Sequence, residues 1–337
     1  VRLDSTLVGL FAHAWDSTLF AAVAVAILAL TRPTSPRVRH AIVTLALLKY
    51  LLPSAWLFAA SLPPVRLLGY WFSTAPPRAL AESGAGLAAW IVPAAPLERA
   101  VAQLPAVLLG LIVGFWALGA TVVVASWARR LALLQRQLGA SAPVPPEREA
   151  AALARACEKA GAAKLRVSLS LSPAAAGAML CGVRRPRLVL PAVLAASMSD
   201  AELEAILLHE LMHAQRRDNL IALGGLAACA LFWMHPAVWA LNRRAARERE
   251  LACDAGVLAA GEGAQTYARA LAKAVRFGAA RQPAGLCGAG GNLRERLAAI
   301  LRTGAFPATP WRDRFAAGAA LAGLIVLAAA ANPCLGR

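Results

Sequence analysis

The chain has 337 residues, 59% of them hydrophobic, and a mean hydropathy of +0.58, an apolar excess that an ordinary soluble domain does not carry. The excess lies in blocks of Ala, Leu and Val, which points to membrane spans. The net charge of +17, from 35 basic and 18 acidic side chains, suits a membrane protein with a basic cytoplasmic face; with no nucleic-acid recognition motif beside it, direct nucleic-acid binding is not supported.

Four blocks are long and apolar enough to span a bilayer: about residues 7–31, 41–62, 104–127 and 315–332, the last rich in Ala and Gly and the weakest. The first is too long, and lacks the cleavage site, to be a signal peptide. The link after it packs Arg32, Arg37 and Arg39 into a tight turn, and Arg129, Arg130 and Arg136 follow the third block. The longer link from Pro63 to Gln103 holds only Arg66, Arg78 and Arg99, diluted by Glu82 and Glu98. The positive-inside rule therefore puts the short link and residues 128–314 in the cytoplasm, and both termini and the long link outside. His13 and Asp16 in the first block and Lys49 in the second are ionisable groups at membrane depth. They are expected at the interface, with Lys49 snorkelling outward or paired structurally with Asp16.

A Pro-rich linker, "GASAPVPPE", opens the cytoplasmic part, and a helix over 147–160 follows. "KLRVSLSLS" alternates with the two-residue period of a strand, and "AGAMLCG" and "RPRLVLP" are short apolar runs between Gly and Pro, giving three strands. Ser199 and Glu202 form the capping box of a helix that runs into "ILLHELMHAQRRDN". Residues 220–239 could pass for a further span, but Gly224, Gly225, His235 and Pro236 break them, so they read as a buried or membrane-skimming helix. Further helices are expected over 236–261, with Pro at the start and Gly at the stop, over 265–277 and over 293–303. The six cysteines (157, 181, 229, 253, 287 and 334) form no C-x-x-C pair, which argues against a disulfide framework or a cysteine zinc finger.

His209 and His213 stand at i and i+4, on one helical face one turn apart, and can hold one metal ion. Glu210 beside the first histidine can take a proton from a metal-bound water, the H-E-x-x-H arrangement of metallopeptidases. A hydrolytic zinc needs a third protein ligand, and Asp218, His235, Glu248, Glu250, Cys253 and Asp254 are candidates by type. Periodicity favours Glu250, with Asp254 one turn on accepting the free N–H of a ligand histidine. The bland alternative has Glu248, Glu250 and Asp254 balancing "RRAARER" on a solvated face. His235 reads as structural, Cys253 as a dry core thiol, and Asp218 as a partner of Arg216 or Arg217 or a cap.

Taken together, "LLHELMHAQRRDN", "LFWMHPAVW" and "RERELACDAGVL", with "GVRRPRLVLP" before and "NLRERLAAIL" after, resemble the BlaR/MecR family of membrane zinc metallopeptidases, the β-lactam-response antirepressor type. The likeness covers nearly the whole chain. It implies a mainly α membrane protein of four transmembrane helices with an inserted α+β gluzincin-like peptidase domain: residues 1–138 with three spans, 139–312 peptidase, 313–337 fourth span and outer tail. It also implies one zinc ion on His209, His213 and Glu250, Glu210 as general base and acid, and Asp254 behind the ligands. The place would be the bacterial inner membrane. The substrate would be a cytoplasmic protein, by analogy a winged-helix transcriptional repressor, with cleavage of this chain itself and a homodimer left open. No S-x-x-K acylation motif occurs in the 337 residues, so the resemblance supports a peptidase more firmly than a β-lactam receptor. A non-catalytic transducer that binds a repressor and a housekeeping membrane protease are the alternatives.

Overall fold

The computed structural model describes residues 3–31, 35–52, 105–138, 146–162, 165–281 and 290–303, together with 313, 315, 318, 319 and 322. The long link after the second apolar block, the Pro-rich linker and nearly all of the fourth block lie outside these residues. Among the described residues the protein is mainly helical, with one small sheet.

Helix α1 spans Leu3–Thr31, and helix α2 spans Pro36–Leu48 with a 3-10 turn, Lys49–Leu51, at its end. Pro36 sits in the first turn, where a missing N–H costs nothing. The second block therefore begins its helix earlier than residue 41, and the helical path stops at Leu52, whose backbone is extended. Helix α3 covers Ala106–Leu138, running past the third block into its arginines. Two described helices are long and apolar enough to cross a membrane, through His13–Leu30 and Val107–Leu133. Helix α1 turns Phe20, Ala21, Ala24 and Leu28 inward against Ile42, Val43, Ala46 and Leu47 of α2. Helix α3 leaves Leu111, Phe115, Leu118 and Val122 exposed, an apolar surface of the kind lipid covers.

Lys49 corrects the sequence reading. It does not snorkel: it is 1% exposed, and its Nζ meets Ser17 Oγ at 3.3 Å rather than pairing directly with Asp16. His13 Nε2 lies 2.8 Å from the Tyr50 carbonyl, and Thr18 Oγ1 joins Tyr50 OH at 2.9 Å and His235 Nε2 at 3.1 Å. Lys49 and Tyr50 are buried between the helices and His13, Thr18 and His235 are half-buried, each with a polar contact inside the bundle that replaces the water it would otherwise lose.

The part after the Pro-rich linker begins with α4, Glu147–Lys159, followed by β1, Ser168–Ser172, β2, Met179–Cys181, and β3, Arg187–Pro191. The sheet order is β1-β3-β2, with β3 parallel to β1 and antiparallel to β2. Between β2 and β3, Gly182 takes φ +87, and a Cβ there would meet the Arg185 carbonyl at 2.7 Å, so the turn requires glycine. A short helix α5, Ala192–Ser197, leads to α6, Asp200–Gln215. The capping box forms as expected: Ser199 Oγ accepts from the Glu202 amide and Glu202 from the Ser199 amide. Twelve of the 16 residues of α6 are buried. Leu203, Leu207, Leu208 and Leu211 are fully buried in one core with Leu188 and Leu190 of β3, Val257 and Tyr267. At about 1.5–3 kcal/mol per buried leucine, this packing fixes where α6 lies.

Helix α7, Asp218–Leu231, ends before residue 236, and a tight turn leads to α8, Pro236–Ala259. The apolar run 220–239 is thus one helix and the start of another; the first buries Gly225, Ala228, Cys229 and Ala230 and leaves Leu220, Leu223 and Leu231 exposed. Trp116 Nε1 of α3 donates to the Leu231 carbonyl at 2.8 Å, and Trp233 Nε1 donates to the Trp116 carbonyl at 3.1 Å. Gly119 admits this contact, since a Cβ there would lie 2.1 Å from the Trp233 ring. Helices α9, Ala264–Arg281, and α10, Gly290–Thr303, close the core.

Candidate metal centre

Helix α6 presents His209 and His213 from one face, with their Nε2 atoms 3.2 Å apart. Two tetrahedral zinc–nitrogen bonds of about 2.0–2.1 Å put their nitrogens at about that separation. Glu250, on α8, completes the group: its Oε2 lies 3.5 Å from His209 Nε2 and its Oε1 lies 3.8 Å from His213 Nε2. One donor atom from each of the three residues fits within 4.8 Å of the others. Two imidazole nitrogens and one carboxylate with room beside them are the donor set of a catalytic zinc, so these residues fit the ion.

The remaining candidates fall elsewhere. Glu248 turns away and pairs with Arg39 of α2 at 2.8 Å. His235 stands before α8, against Thr18 and Tyr50. Cys253 is buried with Sγ 3.3 Å from His213 Nδ1, and burial pushes its thiol up; with His213 and Asp218 it forms a second group of donors, behind the His213 ring and away from Glu250. Glu248 and Asp254 are 7% and 2% exposed, which excludes the solvated face that would merely balance nearby arginines.

Each histidine has its far nitrogen tied down. His213 Nδ1 donates to Asp218 Oδ2 at 2.8 Å. Asp218 comes within reach because Arg217 adopts the left-handed conformation, φ 54, and folds α7 sharply back on α6. A non-glycine residue there costs on the order of 1 kcal/mol, which the geometry behind His213 offsets. Asp218 also accepts from Arg216 Nε at 3.3 Å, the pairing expected from sequence, but its histidine contact was not foreseen. On the other side the expected direct Asp254–histidine contact is replaced by a relay. Tyr267 OH donates to Asp254 Oδ1 at 2.5 Å and accepts from His209 Nδ1 at 2.8 Å, whereas Asp254 Oδ1 itself is 3.4 Å from that nitrogen. Arg296 grips Asp254 with two bonds, Nε to Oδ2 at 2.8 Å and a terminal nitrogen to Oδ1 at 2.7 Å, and reaches Glu250 Oε2 at 3.3 Å.

Tyr267 and Arg296 are thus site residues that sequence reasoning missed. One signal was present: Arg296 stands on the apolar face of "NLRERLAAIL", three residues after Leu293 and four before Ile300, where a cation needs a buried partner.

Electrostatics follow from this packing. Burial disfavours a charged His209, but the Asp254 and Glu250 carboxylates outweigh it and raise its pKa to about 9. Burial likewise opposes ionisation of Glu250 and Asp254, yet the histidines and Arg296 hold Glu250 far below the usual carboxylate range, and His209 and Arg296 hold Asp254 at about 2. Asp218 is lowered too, its His213 and Arg216 contacts overcoming burial.

The group opens into a cleft of about 440 Å³. Ala178, Met179 and Leu180 at edge strand β2 form one wall, and Leu271 and Val275 of α9 form another; Glu210, 8% exposed, lines it beside the histidines. Asn219 anchors that edge, donating to the carbonyls of Leu180 at 3.1 Å and Gly182 at 2.8 Å.

A family model described as BlaR1 peptidase M56 matches residues 14–300. Among curated proteins, "Regulatory protein BlaR1" of Bacillus licheniformis is 38% identical over 93 residues, 28% of this chain and 15% of that protein. "Methicillin resistance mecR1 protein" of Staphylococcus aureus is 30% identical over 95 residues, 28% of this chain and 16% of that protein. The protein of the same name from Staphylococcus epidermidis matches to the same extent. The matched stretch is thus a small part of each relative's length. The family match and the two apolar helices together fit a membrane metalloprotease.

Proposed function

Because the chain belongs to the BlaR1 peptidase M56 family, we propose that it is a zinc-dependent endopeptidase at the inner face of a bacterial membrane, with His209, His213 and Glu250 as ligands and Glu210 as general base. The observation that carries this reading is the convergence of His209 Nε2, His213 Nε2 and the Glu250 carboxylate at the cleft that Glu210 lines.

Bound there, zinc would supply a Lewis acid that makes a water acidic near neutral pH and polarises the scissile carbonyl. Glu210 takes the proton from the attacking water and delivers it to the leaving amide nitrogen. Asp218 and the Tyr267–Asp254 pair hold the far ring nitrogens protonated, so both Nε2 lone pairs face one point. Beyond β3, the described residues place no strand against β2, so an extended peptide can add along Met179–Cys181 as a further strand.

The arginine distribution supports a cytoplasmic peptidase domain. Its contacts agree: Arg39, from the basic link, pairs with Glu248 of α8, and Asp313, just before the fourth block, accepts from the Ser35 amide at 2.8 Å. Residues 1–138, 139–312 and 313–337 then serve as membrane anchor, peptidase and a final span. The substrate is a cytoplasmic protein, a winged-helix repressor by analogy with the regulatory relatives, cleaved in a signalling response. Co-expression of a candidate repressor with wild type and with Glu210→Ala tests it. Zinc-dependent cleavage by wild type alone supports the reading, and equal cleavage by Glu210→Ala overturns it.

A further inference from the structure

The hydrogen bonds behind His213 do not end in the peptidase core; they cross into α2. Arg216, at the C-terminal end of α6, gives its Nε to Asp218 Oδ1 at 3.3 Å and a terminal nitrogen to His40 Nδ1 at 2.9 Å. His40 is 5% exposed and Asp218 is 2% exposed. A guanidinium only donates, so the polarity of the chain is forced. His40 Nδ1 accepts, its Nε2–H faces Thr44 Oγ1 at 3.4 Å, both Asp218 oxygens accept, and His213 donates through Nδ1. His213 thus uses Nδ1 on Asp218, and Nε2 is the ring nitrogen left to face His209 and Glu250 as a metal ligand.

His40 brings no other function into view. It sits on the helix that α1 packs against, and the neighbouring Arg39 clamps the same helix to α8. We propose that His40 is a positioning residue for His213: acting through Arg216 and Asp218, it fixes the ring of that ligand, and α2 is thereby the element through which the membrane bundle sets the metal affinity of the peptidase. This rests on the reading of His213 as a ligand.

Loss of a partner behind a metal-bound histidine typically lowers affinity about 10–100-fold, and one step further out we expect about tenfold. The test is zinc affinity of the full chain in micelles, by chelator competition, for wild type, His40→Ala, His40→Asn, His213→Ala and the double variant His40→Ala/His213→Ala. The Asn Oδ1 can take the place of His Nδ1 as acceptor for Arg216. Expected is about a tenfold loss in His40→Ala, recovery to within about threefold in His40→Asn, and no additional loss from His40→Ala once His213 is gone. Thermal unfolding of the zinc-free forms separates positioning from folding, since a folding defect would lower their midpoint and would not be rescued by Asn. Wild-type affinity in His40→Ala, with affinity lost in His213→Ala, overturns this inference alone. Unaltered affinity in His213→Ala overturns the ligand reading and this inference with it.

Discussion

Replacing Tyr267 by Phe removes one oxygen from the centre of the site and leaves the ring packed where it is. That oxygen accepts from His209 Nδ1 at 2.8 Å and donates to Asp254 Oδ1 at 2.5 Å. Asp254 keeps both bonds from Arg296. His209 keeps nothing comparable, because Asp254 Oδ1 at 3.4 Å is beyond a good hydrogen bond. The loss falls on the ligand: one buried bond in a charged network, about 1.5–3 kcal/mol. At about 1.4 kcal/mol per tenfold, this corresponds to roughly a 10–100-fold loss of zinc affinity, the range seen when groups behind metal ligands are removed. Chelator competition on the purified chain measures it, with the unfolding midpoint of the metal-free protein as control. Zinc affinity in Tyr267→Phe equal to wild type would refute the claim that this hydroxyl orients His209.

Ser199→Ala removes the cap of α6 and should lower stability by about 1 kcal/mol while leaving zinc affinity unchanged, as followed by unfolding and metal binding on one preparation. Zinc uptake should depend on pH through His209. Its pKa is raised to about 9 in the metal-free protein, so the ion displaces a proton across neutral pH, and affinity climbs up to tenfold per unit until about pH 9. The same shift stabilises the metal-free fold fully below about pH 6.5 and loses that contribution as pH rises through about 9; titration calorimetry in buffers of different ionisation enthalpy, with melts across pH, checks both. Gly119→Val forces a side chain into the Trp233 ring and should cost about 1–3 kcal/mol by overpacking, read as a lower unfolding midpoint in micelles.

What could be read from the sequence was what is local. The Ser199 cap, the i and i+4 histidines and the Pro236 helix start each depend on neighbours within a turn, so spacing alone located them. Glu250 was reachable because α8 carries its own periodicity. Tyr267 and Arg296 lie 58 and 87 residues beyond His209 and reach it only through tertiary packing. Asp218 was read correctly as an arginine partner, but its turn toward His213 depends on a left-handed Arg217 that no residue preference announces. Lys49 was assigned to an interface on its chemistry, yet the bundle supplies Ser17 as a buried contact. The helix of the second apolar block starts at Pro36, five residues before hydropathy places it, because Arg37, Arg39 and His40 are helical without being apolar, and the rest of that block lies outside the described residues.

The most direct test sets zinc content beside cleavage of a candidate repressor, for wild type, Glu210→Gln and Glu250→Gln. The account predicts one zinc and no cleavage in Glu210→Gln, and loss of both in Glu250→Gln. Full cleavage by Glu210→Gln, or a retained zinc with full cleavage in Glu250→Gln, would contradict it.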